Sequence, residues 1–240
     1  MMAINRKPHC RFASSLILLA GLLSPLGWAA PPVGEVTHVS GALMVKRGEG
    51  TTKILAPRSQ VESGDLLATA GDTYARVKFV DGGEVTLRPN TQFKIEAFKY
   101  DKSVVANDSA IFRLLKGGFR TITGVVGKRR PNSYQMQTAV ATIGIRGTIY
   151  GAQFCADDCQ NLRNGAGQTP GNGLHLDVAE GGVNVTNGGG TKPLNPGEFG
   201  FVADNIKPMD KVPAPEGVTN NIPGFGGGPS GATQTECVVQ

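Results

Sequence analysis

Two cysteines four residues apart, Cys155 and Cys159 in the segment Phe-Cys-Ala-Asp-Asp-Cys-Gln, hold the densest chemistry in the chain. In an oxidising compartment such a pair is expected to close as a disulfide. The alternative is a zinc site, in which two thiolates on a tight turn are joined by Asp157 or Asp158 and by His175. The chain lacks the second, similarly spaced pair that makes a zinc signature specific, so no metal is assigned. Of the other two cysteines, Cys10 precedes the apolar run near the amino end, and Cys237 is left over as a free thiol or a site of intermolecular pairing.

The second constellation is Gly144-Ile-Arg-Gly-Thr148, which closes the apolar run Ala139 to Ile145. A guanidinium at Arg146 must find acceptors if it is buried. One reading is structural, with Arg146 bonding carbonyls or a carboxylate that locks two β layers together. The other makes Arg146 a receiver for a carboxylate or phosphate, for which its planar fork is suited, with Gly147 and Thr148 shaping the spot. Arg146, Gly147 and Thr148 are therefore the candidate binding residues.

Catalysis has little to build on. A nucleophile with a base, a carboxylate pair or a metal cluster is the usual starting point, and beyond the leader only His38 and His175 remain as histidines. Each reads as a surface residue of a β protein. Asp157 with Asp158, and Asp81 with Glu84, are neighbouring acids in turns, where solvent is the expected environment. The chain is read as a non-enzyme that uses no cofactor. The single basic run, Lys128-Arg129-Arg130, precedes Pro131 and reads as a solvated loop, with a contact to an anionic ligand or lipopolysaccharide as the alternative.

The elements that would position these residues begin with a leader. Arg6, Lys7 and Arg11 precede an uncharged run from Phe12 to Leu26, and Gly27-Trp28-Ala29 supplies small residues at a cleavage spacing. This is the plan of a secretory signal peptide over residues 1–29, too short and too interrupted for a membrane anchor. Its removal takes three of the 24 basic residues and none of the 19 acidic ones, so the formal charge falls from +5 to +2. A concentrated basic face for nucleic acid is absent from that balance, and no nucleic-acid partner is expected.

Residues 33–203 read as one all-β domain of short alternating runs. Ala75, Val77 and Phe79 share one face, Asp81-Gly82-Gly83 turns the chain, and Val85 and Leu87 resume the inward positions as the second arm of a hairpin. Similar glycine pairs recur at Lys116-Gly117-Gly118 and Glu180-Gly181-Gly182. A longer echo joins Gly41 through Leu67 to Gly182 through Phe199, each with a strand, a polar spacer, and Gly-Asp or Gly-Glu before another strand. A β-roll or solenoid and a β-sandwich both fit this pattern. Residues of about 155–173 form an exposed insertion, and residues 204–240, rich in glycine and proline, read as a flexible tail.

In order along the chain, Gly64-Asp-Leu-Leu-Ala-Thr69, Ala75-Arg-Val-Lys-Phe-Val-Asp-Gly82, Val85-Thr-Leu-Arg-Pro89, Leu115-Lys-Gly-Gly118, Thr138 through Gly144-Ile-Arg-Gly-Thr148, Glu180-Gly-Gly-Val-Asn-Val185 and Leu194-Asn-Pro-Gly-Glu198 resemble the FecR domain. That domain is the periplasmic part of regulators relaying iron-siderophore signals to sigma factors. The most specific match is Gly144-Ile-Arg-Gly-Thr148, similar to the family's Gly-Val-Arg-Gly-Thr. A signal peptide stands here where those regulators carry an anti-sigma segment and a membrane helix. The resemblance implies a free-standing periplasmic, or alternatively secreted or surface-exposed, module that recognises an envelope protein or a small ligand. A structural or surface-assembly role and a carbohydrate-binding role are the competing expectations. Oligomeric state is left open.

Overall fold

The computed structural model describes residues 30–213. The leader expected over 1–29, most of the proposed tail, and Cys10 and Cys237 lie outside the described residues.

Among the described residues, seventeen strands form two hydrogen-bonded layers. In chain order they begin with β1 (Pro32–Val39), β2 (Leu43–Arg47), β3 (Lys53–Leu55), β4 (Gln60–Glu62), β5 (Asp65–Thr69), β6 (Ala75–Phe79), β7 (Glu84–Leu87) and β8 (Gln92–Lys99). The long β9 (Ser109–Ile122) follows, then a short helix α1 (Val125–Arg129), β10 (Tyr134–Gln137), β11 (Thr142–Ile145) and β12 (Ile149–Cys155). The chain continues through β13 (Gly173–Glu180), β14 (Val183–Asn187), β15 (Gly190–Leu194), β16 (Phe199–Val202) and β17 (Asp210–Val212). One layer runs β4-β1-β6-β7-β9-β12-β13-β16-β17 and the other β3-β2-β5-β8-β9-β10-β11-β14-β15. Every pairing is antiparallel except that of β10 with β9.

The fold is all-β, as the alternation implies, and the two layers face each other as in a sandwich. Strand β9 belongs to both. Its first part, to Lys116, pairs with β8 and β10, and its last part, from Gly117, pairs with β7 and β12. The inward positions record this crossing: Ala110, Phe112 and Leu114 are buried, and then Phe119 and Thr121 are. A strand keeps one parity on one face, so the switch marks the passage from one layer to the other. Gly117 makes it with φ +77°, and a Cβ there would lie 2.5 Å from Thr91 Oγ1 and 2.7 Å from Asn90 O. The Gly117-Gly118 pair, read from sequence as a hairpin turn, is instead this crossing.

Aromatic rings fill the space between the layers. Phe79 and Phe98 stack at 5.0 Å, Phe93 meets Phe119 edge-on at 5.7 Å, and Phe119 meets Tyr150 at 5.6 Å. Phe79, Phe119 and Tyr150 come from one layer and Phe93 and Phe98 from the other. Each such ring contributes about 1.5–3 kcal/mol by burial. Tyr134 and Tyr150 bury their hydroxyls 2.9 Å apart, which satisfies both, and burial pushes both phenols up.

The long sequence echo corresponds to a repeated turn. Glu62 N donates to Asp65 Oδ2 at 2.8 Å across Gly64, and Asn195 N donates to Glu198 Oε2 at 2.7 Å across Gly197. Both glycines have positive φ, +90° and +79°. A cation holds each acid from outside: Arg47 grips Asp65 at 2.7 Å and Lys211 holds Glu198 at 2.6 Å. Lys211 belongs to β17, which pairs with β16, and Met209 is buried. The ordered domain therefore extends past residue 203 to at least Val212, because an apolar side chain and an edge pairing lie where composition alone reads as tail.

Three other local expectations change. Asp81 is buried, its carboxylate accepting from Gly83 N at 2.9 Å and from Val126 N at 3.1 Å, so it caps α1 rather than facing water. Arg129 is engaged by Asp108 at 2.6 Å, and Arg130 donates to the carbonyls of Val105 and Ala106. Two members of the basic run thus fasten the Tyr100–Asp108 connection instead of forming a solvated loop. His175 is buried, for reasons given below.

Candidate functional site

The Gly144-Ile-Arg-Gly-Thr148 segment is the corner at which the chain leaves β11 in one layer and enters β12 in the other. Gly147 adopts φ +64° at the bend. Thr148 is buried, its hydroxyl donating to Gly182 O at 2.8 Å and its amide donating to Thr123 Oγ1 at 2.9 Å. Arg146 N donates to Gly182 O at 2.9 Å. The reverse corner, Gly181-Gly182, lies directly against it, since a Cβ on Gly181 would fall 2.0 Å from Gly147 O. The motif's glycine and threonine therefore serve close packing of two corners.

Arg146 itself is exposed, its guanidinium lying against Gly182 and donating to the side-chain oxygen of Asn195 at 3.4 Å. The expected locking of two layers by Arg146 through carbonyls or a carboxylate does not occur. The side chain instead runs over the reverse corner at Gly182 toward Asn195 and stays exposed, so no desolvated acceptor is required.

The cysteines do meet. Cys155 and Cys159 are joined as a disulfide, with Cα atoms 5.4 Å apart, and both are buried. They pin the start of the connection from β12 to β13. Its two ends are tied again where Asp157 N donates to Asn172 Oδ1 at 2.9 Å and Asn172 Nδ2 returns to Asp157 Oδ1 at 2.6 Å. Lys116 approaches Asp158 at 3.5 Å from β9. The insertion is thereby held down on the outer face of the layer containing β12 and β13. Among the described residues, no group of three or more histidine, cysteine or acidic side chains could hold a metal ion.

What this loop covers is the more informative surface. Leu174, Leu176 and Val178 of β13 point to the core, so His175 and Asp177 point outward, yet both are buried. His175 donates through Nε2 to Gly171 O at 2.8 Å and packs on the Phe201 ring at 4.8 Å. Burial draws its pKa down, against the Gly171 bond. Asp177 meets Arg120 at 3.3 Å, and its other carboxylate oxygen is buried with no hydrogen-bond partner among the described residues. Burial raises its pKa, outweighing the opposing pull of Arg120 and Arg88.

A cavity of about 200 Å³ opens between the loop and a second corner, Arg88-Pro89-Asn90-Thr91, where the chain passes from β7 to β8. Thr69 Oγ1 donates to Arg88 O at 2.6 Å and accepts from Thr91 N at 2.9 Å, fixing that corner as Thr148 fixes the other. Arg88, Tyr74, Asn90 and Gln153 form its floor and walls, with Asn161 and Leu162 of the loop above. Arg88 is 6% exposed and Gln153 4% exposed. A second cavity of about 220 Å³ lies on the far side of the loop, between Gln168, Pro170, His175, Phe201 and Val212. Sequence reading passed over Arg88 although alternation places it outward with Thr86, because nothing in β7 shows that a distant loop covers it.

The FecR protein family profile matches residues 65–184, from the first residue of β5 into β14. The chain belongs to the FecR family. The match takes in both corners, the β9 crossing and the disulfide-held loop. No curated protein matches the chain. Two crystal structures of a candidate anti-sigma factor from Parabacteroides distasonis align with it at 14% and 15% identity, each with a TM-score of 0.44. Each alignment covers 61% of this chain and spans 58% of that protein. Family membership makes this a signalling or regulatory type of module. No helix among the described residues is long and apolar enough to cross a membrane.

Proposed function

We propose that this FecR-family domain is an exported, periplasmic recognition module that binds a protein partner, or a small ligand, in the bacterial envelope and takes part in sensing or signalling. The family match over 65–184 carries the reading, since it spans the architecture of both layers. Two further features support the location. The amino end has the plan of a secretory leader, and a disulfide between Cys155 and Cys159 persists best in an oxidising compartment. Recognition rather than turnover is the proposed mode of action, with the disulfide-held loop as the contact surface, because loops fixed on a rigid β scaffold are where binding residues concentrate.

Crosslinking in the native envelope, with the intact protein and a variant lacking Asn161 to Gly173, tests this. Enrichment of one envelope protein, lost on deleting the loop, is the expected result. A competing structural role is favoured by the edge strand β3, whose Ile54 is 78% exposed, because open edges recruit further strands. Recovery of only self-crosslinked copies would replace signalling with that assembly role.

A further inference from the structure

We infer that the cavity on the far side of the disulfide-held loop, bounded by Gln168, Thr169, Pro170, His175, Phe201 and Val212, is a binding site for a neutral sugar ring. This deepens the small-ligand branch of the proposed function and rests on that reading for its setting in the envelope.

Three observations converge. First, the wall carries no charge. Its other members, Asn164 and Gly171, are uncharged too, and burial holds the His175 imidazole neutral by drawing its pKa down. Arg163 comes near, but its Nη1 donates to the carbonyls of Gln160 and Leu162 at 2.6 Å and to Thr169 Oγ1 at 3.1 Å. Asp210, opposite Phe201 on β17, is exposed and stands outside the wall. An ionised ligand would give up its hydration here with no counter-charge in the wall to meet it.

Second, three polar atoms of the wall keep hydrogen-bonding capacity after their internal partners are counted. Gly171 O can only accept, so His175 Nε2 carries the proton, and Nδ1 of the neutral ring is left as a bare acceptor. Thr169 Oγ1 accepts from Arg163 and keeps its own O–H to donate. Gln168 Oε1 accepts from Asn164 Nδ2 at 3.3 Å, while Gln168 Nε2 has no partner among the described residues. Asn164 is already engaged, its Oδ1 accepting from the amides of Ala166 and Gln168. One acceptor and two donors remain. A hydroxyl both donates and accepts, so neighbouring hydroxyls of one ring answer both kinds, whereas a ligand with only one kind leaves part of the wall unmatched.

Third, the rest of the wall is apolar. Phe201 is half-buried on the outward side of β16, its ring backed by His175 at 4.8 Å, with Pro170 and Val212 beside it. Apolar and aromatic surface with a few convergent polar groups is the usual make-up of a small-molecule site, and the C–H face of a sugar ring suits it. The volume of about 220 Å³ lies below the roughly 300–1,000 Å³ of sites for drug-sized ligands, which limits the occupant to a single ring or the end of a chain.

The test is an NMR titration of the purified protein with glucose, galactose, N-acetylglucosamine and chitobiose, and with inorganic phosphate and ethylammonium as charged controls. Saturable shifts of the Gln168, Thr169 and His175 signals with at least one sugar, and none with the charged controls, are expected. Tighter binding of chitobiose than of N-acetylglucosamine assigns the end of a glycan as the source, and equal binding a free sugar. Gln168→Ala and Thr169→Val each remove one donor at an exposed position and should weaken sugar binding about two- to tenfold, the worth of one neutral hydrogen bond. His175→Phe keeps a ring against Phe201, removes the acceptor and should weaken binding by a similar factor. Because His175 is buried, the two exposed variants keep the test independent of folding. No saturable shifts with any sugar, shifts as large with a charged control, or an affinity unchanged in both exposed variants would overturn the assignment. The titration needs no partner protein, so its failure removes this site alone, and a failed crosslinking experiment removes the protein partner alone.

Discussion

Two corners of this sandwich are built alike and differ in use. At each, the chain changes layers, an arginine stands at the bend, and a buried threonine hydroxyl fastens the backbone: Thr148 to Gly182 O at one, Thr69 to Arg88 O at the other. Arg146 nevertheless stands in solvent beside Asn195, whereas Arg88 lies in the wall of a cavity. The difference is the disulfide-held loop, which reaches over one corner and not the other. Residue type and local geometry made two equivalent candidates, and a covering segment from elsewhere in the chain made one of them the wall of a cavity.

Substitutions at the glycines of the two regions should break this equivalence most sharply. Gly117→Ala, beneath the covered corner, combines positive φ with contacts to Thr91 and Asn90 under 3 Å, and should cost at least about 3 kcal/mol in urea denaturation, at the large end for single mutations. Replacing both Cys155 and Cys159 by alanine should cost about 2 kcal/mol, as closure of a very short loop predicts, and should expose the amides of Gln153 and His175 to hydrogen exchange. Gly147→Ala at the open corner has space for the new methyl and should cost only about 1 kcal/mol, the backbone term alone.

The pH response of the covered face is smaller and should run in two directions. His175 has a folded pKa below its unfolded value near 6.5, so its contribution is present above that pH and is lost as pH falls from there toward the folded pKa. His175→Gln should therefore flatten the loss of urea stability between pH 7 and pH 5. Asp177 has a folded pKa above its unfolded value, so its contribution is present in acid and is lost as pH rises through the folded pKa. Relative to the natural protein, Asp177→Asn should gain stability on going from pH 4 to pH 7. Arg146→Ala should change stability by no more than about 0.5 kcal/mol at either pH. A larger loss would mean that the open corner depends on its arginine after all.

Periodicity made much of the scaffold legible. Ala75, Val77 and Phe79 with Val85 and Leu87 marked the β6–β7 hairpin and its inward face, and the structure pairs Ala75 with Leu87 and Val77 with Val85. The Gly-Asp and Gly-Glu echo proved to be one turn chemistry used twice. The Gly117-Gly118 crossing escaped because a glycine pair fits a hairpin turn as well as a strand that changes layers, and only the parity change from Leu114 to Phe119 separates them. The site was harder still. Alternation places Arg88, His175 and Asp177 on an outer face, but burial there comes from residues some 70 positions from Arg88, and no local pattern encodes that contact. Arg146 attracted notice because its flanks are specific, and those flanks turned out to serve the packing of Gly181 and Thr148.

Strand β9 has a bearing on how the molecule comes into being. All strands before it occupy one wing of both layers and all strands after it occupy the other, so the first half of the sequence holds every partner needed to finish its own wing, up to one free edge along β9. A chain appearing amino end first can assemble that wing before the rest arrives, and the exposed edge of β9 then serves as the template on which β10 and β12 are laid. Until they are, the same edge is open to any other extended chain, which makes the interval between the two halves the most aggregation-prone moment in the life of this protein.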